Sequence, residues 1–192
     1  MPLQLRHLFT HAPSQTEQKP PPNEPRSNPT EPKSNPLEAR LSVPVRYTPE
    51  MQQEWHREPF TISTDPRRLN VDTIYGFLHN DAYWALGRSR EKVERSLRHS
   101  LNFGLYRDAS QIGFARVVTD RATFAWLADV FVLAAFRKQG LSKWLLAVIS
   151  NHDELQGLRR WVLATRDAHT LYRQFGFEPL SSPDRFMERF QP

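Results

Sequence analysis

The 192-residue chain contains no cysteine, so disulfide scaffolds, thiolate zinc sites and cysteine nucleophiles are all excluded. No run approaches the length of about 18 consecutive apolar residues that a membrane-spanning helix needs. Glycine is sparse and one-sided, with all seven at or after Gly76. Proline has the opposite distribution, with 11 of its 16 at or before Pro49. His7, His11, His56, His79, His99 and His152 have no metal-ligand spacing, and no metal is expected. A strong charge excess is missing too. Residues 1–58 hold seven Lys/Arg and seven Asp/Glu, whereas residues 59–192 hold 19 and 14 and carry the whole formal +5. That modest basicity suits phosphorylated small molecules as readily as nucleic acid, and no basic stripe favours the latter.

These asymmetries divide the chain into a proline-rich tail, residues 1–58, and a globular unit, residues 59–192. From Ser14 to Pro36 the tail alternates Pro, Asn, Ser, Thr and charges, too polar to offset the entropy of ordering, and it reads as disordered. Its PPPNEP run would suit a proline-reading partner domain, although a plain linker explains it more simply. The opening MPLQLRHLF lacks the continuous apolar core of a signal peptide, and the simplest setting is the cytoplasm.

In the globular unit, Phe60–Thr64 alternates as a strand. Helical spacing follows over Asn70–Asn80, with Asn70 or Asp72 as its cap, and again over Ser89–His99 with Val93 and Leu97 facing inward. Phe103–Tyr106 and Gln111–Val118 read as a hairpin across Asp108-Ala109-Ser110. The apolar run Phe124–Leu133 reads as a central, well-buried strand. A helix from Lys143, a strand Arg160–Thr165 and a helix Ala168–Phe175 capped by Asp167 and ended at Gly176 come next. Two closing strands are expected at Phe177–Leu180 and Arg185–Phe190. The order predicts an α/β fold, a central mixed twisted sheet of six to seven strands with helices on both faces.

The sharpest feature is the strand–loop–helix junction FRKQGLS. A helix N-terminus exposes unpaired N–H groups and the positive end of the helix dipole. Gly140 lets a phosphate approach the backbone, Ser142 is small, and Arg137 and Lys138 add charge. Together these features make a pyrophosphate cradle. It is not a P-loop, since the Gly-Lys-Ser/Thr ending is missing, and not a dinucleotide fingerprint, since one glycine stands where three are needed.

DVFVLAAFRKQGLSKWLL resembles the acyl-CoA signature of the GNAT superfamily of N-acetyltransferases, Arg/Gln-x-x-Gly-x-Gly/Ala, read here as Arg137-Lys138-Gln139-Gly140-Leu141-Ser142. DAHTLYRQFGFEPL is similar to the family's second signature, with Tyr172, Gly176 and Phe177 in register. SLRHSLNFGLYRDASQIGFARVVTD further resembles small, stand-alone bacterial members of unassigned substrate. Two departures stand out. Ser142 replaces the usual Gly or Ala, and Thr165 replaces an Asn seven residues before the Tyr.

The resemblance implies acetyl-CoA as co-substrate and a primary amine of a small molecule or peptide as acceptor, acetylated by direct attack. Main chain of Phe131, Val132 and Leu133 would align the pantetheine arm, and N–H groups from Lys138 through Gln139, Gly140, Leu141 and Ser142 to Lys143 would hold the pyrophosphate. Thr165 and Ala168 would complete the cofactor contacts, with Tyr172 as general acid. Asp129, Asp167's near neighbour His169, or water would take the amine's proton. Tyr83, Trp84 and Phe103 are candidate acceptor contacts, and Arg88, Arg90 and Arg107 are candidates for reading an acidic one. A catalytically idle acyl-CoA-binding module of the same fold is the competing reading, and either a monomer or a homodimer fits.

Overall fold

The computed structural model describes residues 52–189, and the tail reading for residues 1–51 lies outside them. Ordered structure begins earlier than Phe60. Glu54–Arg57 forms β1, antiparallel to β2, Phe60–Ser63, with Trp55 opposite Ile62. Trp55 packs on the core while Glu54 and His56 stay exposed, so one large side chain anchors an otherwise polar strand. The chain then runs through α1 (Val71–Asn80), α2 (Arg90–Arg98), β3 (Leu101–Arg107), β4 (Ser110–Thr119), β5 (Phe124–Val132), α3 (Leu141–Ser150), β6 (Arg160–Val162) and α4 (His169–Arg173). The six strands lie side by side in sequence order, antiparallel except for the parallel pair β5–β6.

Local chemistry sets these boundaries. The Asn70 carboxamide accepts from the Thr73 N–H at 2.9 Å and Ser89 Oγ from the Lys92 N–H at 3.3 Å, so Asn70 rather than Asp72 caps α1. Asp120 Oδ2 accepts from the Thr123 hydroxyl at 2.6 Å and Oδ1 takes the N–H groups of Ala122, Thr123 and Phe124; these bonds, the hydroxyl's first, close the β4–β5 turn and hold that carboxyl well below its ordinary range.

The sheet is covered on both faces. On one, Ile74, Phe77, Leu78, Val93 and Leu97 of α1 and α2 bury Phe114 and Phe131, with the Phe77 and Phe131 rings stacked 4.0 Å apart. On the other, Leu141, Leu145, Val148 and Ile149 of α3 pack on Phe103, Leu105, Val117 and Leu127. Each such buried side chain contributes about 1.5–3 kcal/mol relative to exposure. Among the described residues no helix is long and apolar enough to cross a membrane.

Three sequence expectations change. Residues 177–180 and 185–189 form no strand: Pro179 lacks a ladder donor within the first, and Pro183–Arg185 turns as a short 3-10 segment into the second; Phe190 lies outside the described residues. β6 stops at Val162 rather than Thr165, and α4 has Ala168, not Asp167, in the cap position, without a side-chain capping bond. β5 is not buried throughout, since Phe124 and Trp126 are exposed where α1 and α2 no longer reach.

Candidate active site

β5 and β6 pair over only three residues, Phe124–Arg160 to Trp126–Val162, and then part. The C-terminal half of β5 keeps its other neighbour: Phe131 pairs with Phe114, Val132 with Gly113, and the Leu133 N–H donates to the Ile112 carbonyl at 2.8 Å. The main chain of Phe131, Val132 and Leu133 therefore faces an open wedge on the β6 side. A linear ligand carrying amides can occupy such a wedge as an added strand.

Beyond β5 the chain makes a 3-10 turn, Ala134–Phe136, and reaches Gly140, which caps α3 in the left-handed conformation at φ +75°. The first intrahelical bond is the Trp144 N–H to the Gly140 carbonyl at 3.0 Å, so the N–H groups of Leu141, Ser142 and Lys143 have no helical partner, and Gly140 supplies no side-chain cap. Leu141 is buried and pins the helix, while Lys138, Gln139 and Lys143 are exposed around it. Lys138 also takes positive φ, at 64°. Arg137 is committed internally, its Nε donating to the Val132 carbonyl at 2.9 Å and fixing the loop to the strand. Sequence reasoning missed Arg57. Its Nη1 lies 3.8 Å from where a Gly140 Cβ would sit, so β1 brings another cation over the loop from a segment whose composition reads as tail.

Tyr172, Thr165 and His169 line one groove along β6 and α4. The Thr165 hydroxyl accepts from the Ala168 N–H at 3.1 Å and shapes the turn into α4, a local use for the side chain that stands in place of Asn. His169 is exposed at the first position of α4. Tyr172 packs edge-on against Phe177, centroids 5.9 Å apart, and burial pushes its phenol up to about 12, with Tyr83 and Asp167 acting in the same direction. Tyr83 comes from the α1–α2 loop. Its hydroxyl accepts from the Arg166 N–H at 2.9 Å beneath the Arg166 guanidinium, so this loop is fastened to the segment that joins β6 to α4, near Tyr172.

The next residue along that loop faces a second cluster. Asp129 sits at a bulge in β5 with φ +52°, its side chain almost wholly buried. Oδ2 accepts from Arg88 Nη1 at 2.9 Å and Arg116 Nε at 2.7 Å, and Oδ1 from Trp84 Nε1 at 3.1 Å. Of the other candidates, Arg90 pairs with Asp72 and Glu94 on the surface, Arg107 is exposed at the end of β3, and Phe103 belongs to the α3-side core.

Residues 99–179 match the model of the acetyltransferase (GNAT) domain. The chain is 34% identical over 142 residues to a Gibberella zeae protein named for an acetyltransferase, covering 62% of this chain and 79% of that one. It is also similar to a crystal structure of a GNAT-family protein from Xanthomonas campestris pv. campestris, with 46% identity and a TM-score of 0.68 over 69% of this chain and 94% of that one. A GNAT family acetyltransferase from Elizabethkingia anophelis, solved with acetyl-CoA bound, shares the fold at 17% identity and a TM-score of 0.51, over 71% of this chain and 90% of that one.

Proposed function

The chain belongs to the GNAT acetyltransferase family, and from that premise we propose that it moves an acetyl group from acetyl-CoA to a primary amine of a small molecule or peptide. The observation that carries this reading is the wedge between β5 and β6, with free helix amides at one end and a protonated phenol beside the other strand. Acetyl-CoA supplies the chemistry as an activated thioester. The protein's share is to grip, orient and move protons.

The N–H groups of Leu141, Ser142 and Lys143, with Lys138, Gln139 and Arg57 around Gly140, suit a diphosphate, since amides at a helix start present both donors and a favourable dipole. The open edge of Phe131–Leu133 suits the amide-bearing arm, and Thr165 and Ala168 close the other side of the wedge. Tyr172, held protonated by its burial, is the group we assign to hand a proton to the departing thiolate. Asp129 is a weaker base candidate than its position suggests, because three donors already occupy its two oxygens. His169 or water is left to receive the amine's proton.

The reading is tested by titrating acetyl-CoA into the full chain in a calorimeter and then following thiol release across a panel of amines. Saturable heat and amine-dependent thiol release are expected. Folded protein that gives neither overturns the proposal.

A further inference from the structure

Asp129 neutralises only one of the two guanidinium groups it holds. Arg88 and Arg116 against a single carboxylate leave one net positive charge on the sheet face beneath the α1–α2 loop. Arg116 uses Nη1 on Ser100 Oγ at 3.1 Å; among the described residues its Nη2, and Nε and Nη2 of Arg88, carry no hydrogen bond. Both guanidinium groups remain reachable, with side-chain exposures of 22% for Arg88 and 14% for Arg116, while the carboxylate between them is at 2%. The arrangement is a cationic fork held on a buried carboxylate, with guanidinium donors to spare.

Two indoles flank it. Trp84 donates to Asp129 from the α1–α2 loop, and the residue is 42% exposed. Trp126 lies diagonally from Arg116, since Arg116 pairs with Ala128 and Val118 with Trp126, and it is 39% exposed. The loop also ties this cluster to the reaction centre. Tyr83 neighbours Tyr172 and binds the Arg166 N–H, and the adjacent Trp84 binds Asp129, so consecutive residues span from the proton donor to the fork.

We infer that the acceptor is a small amine carrying a carboxylate or phosphate close to its amino group, with the anion received by Arg88 and Arg116. Guanidinium groups bind either oxyanion in a planar, often bidentate way. Asp129 is then a positioning residue, which fixes the fork and limits its charge. This inference rests on the acetyl-transfer reading for the amine's fate but not for the anion site itself.

The experiment uses matched pairs, phenylalanine with phenethylamine and O-phosphoethanolamine with ethanolamine, so that the two pairs separate carboxylate from phosphate. In the wild-type chain the anionic member of at least one pair has a kcat/KM at least about tenfold above its neutral partner. In Arg88→Gln that ratio collapses toward one while acetyl-CoA binding holds, and Arg88→Lys recovers part of it. Neutral members used as well as their anionic partners in both pairs, or a preference that survives Arg88→Gln, overturn the inference. If no amine accepts acetyl, the transfer reading fails separately. Calorimetry with the same four compounds and coenzyme A then decides the anion site: selective binding that Arg88→Gln abolishes supports it, and its absence in the wild type overturns it.

Discussion

Tyr172→Phe isolates the proton that leaves with the thiol. The ring stays, so the edge-on contact with Phe177 and the packing against the α3-side core are retained, and only the hydroxyl is lost. Stability should therefore change little, by less than about 0.5 kcal/mol, as expected where no buried group is left unpaired. The kinetic loss should be far larger. General acid assistance of this kind contributes a hundred- to ten-thousandfold, and water admitted to the groove replaces part of it, so kcat should fall by about two to three orders of magnitude. That is about 3–4 kcal/mol of transition-state stabilisation.

The pH profile provides the second half of the test. A general acid works while protonated, and burial pushes the Tyr172 phenol up to about 12. The wild-type rate should thus show no alkaline fall attributable to this group below about pH 10, two decades under its titration. The assay is thiol release at saturating acetyl-CoA from pH 6 to 10, with KM for acetyl-CoA measured in parallel. An unchanged KM with reduced kcat places the loss in the chemical step. A variant that keeps kcat within about threefold of wild type, well inside the range that acid catalysis supplies, would refute the assignment.

Gly104→Ala should destabilise by about 1–3 kcal/mol in urea denaturation, because a Cβ there runs into the buried Tyr106 ring, with Cζ at 2.6 Å, and Arg68 sits over that ring's face. Asp129→Asn leaves two guanidinium groups together without their counter-charge; full burial would cost about 3–5 kcal/mol, and their partial exposure reduces this to about 2–3. A change under about 0.5 kcal/mol would instead make the cluster a surface feature. His152 is buried, its Nδ1 accepts from the Glu154 N–H, and burial lowers its pKa against the opposing pull of Glu154 and Asp153. The unfolded chain then binds more protons between the folded value and about 6.5, so stability is full above that pH and is lost as pH falls through the window; His152→Gln should flatten this slope.

Local sequence carries the half of the site proposed for the cofactor because its parts are contiguous. Arg137 to Lys143 supplies loop, glycine and helix start within seven residues, and Ala168 to Phe177 supplies turn, phenol and cap. Spacing along the chain is spacing in space over such distances, so hydrophobic period and one left-handed glycine suffice to read them. Where long-range pairing decides, the reading fails. Arg160–Thr165 is uniformly strand-like in composition, yet only Arg160–Val162 meets a partner, since β5 bends away at its bulge. Residues 185–189 carry an aromatic and three charges, but Pro183–Arg185 turns as a short 3-10 segment and the residues after it pair with no strand. Arg57 was hidden for a different reason. Its neighbours are polar, and only the pairing of Trp55 with Ile62 carries it over Gly140.

The proposed acceptor half has the opposite construction. Trp84, Arg88, Arg116 and Asp129 are spread over more than forty positions and three elements, and no pair of them stands at a spacing that means anything by itself. Asp129 alone gives a sequence-level sign, a charge inside an apolar run, and that sign has two physical resolutions. A carboxylate in that position either meets a titratable partner and moves protons, or meets fixed cations and holds them. Sequence cannot choose between them, because the choice lies in Arg88 and Arg116, which become neighbours only when the α1–α2 loop folds down onto the bulge. The bulge turns Asp129 toward the α1–α2 side, with Arg116, while Leu127 and Val130 pack toward α3. One left-handed residue in a strand thus converts a candidate base into the support of a cationic fork.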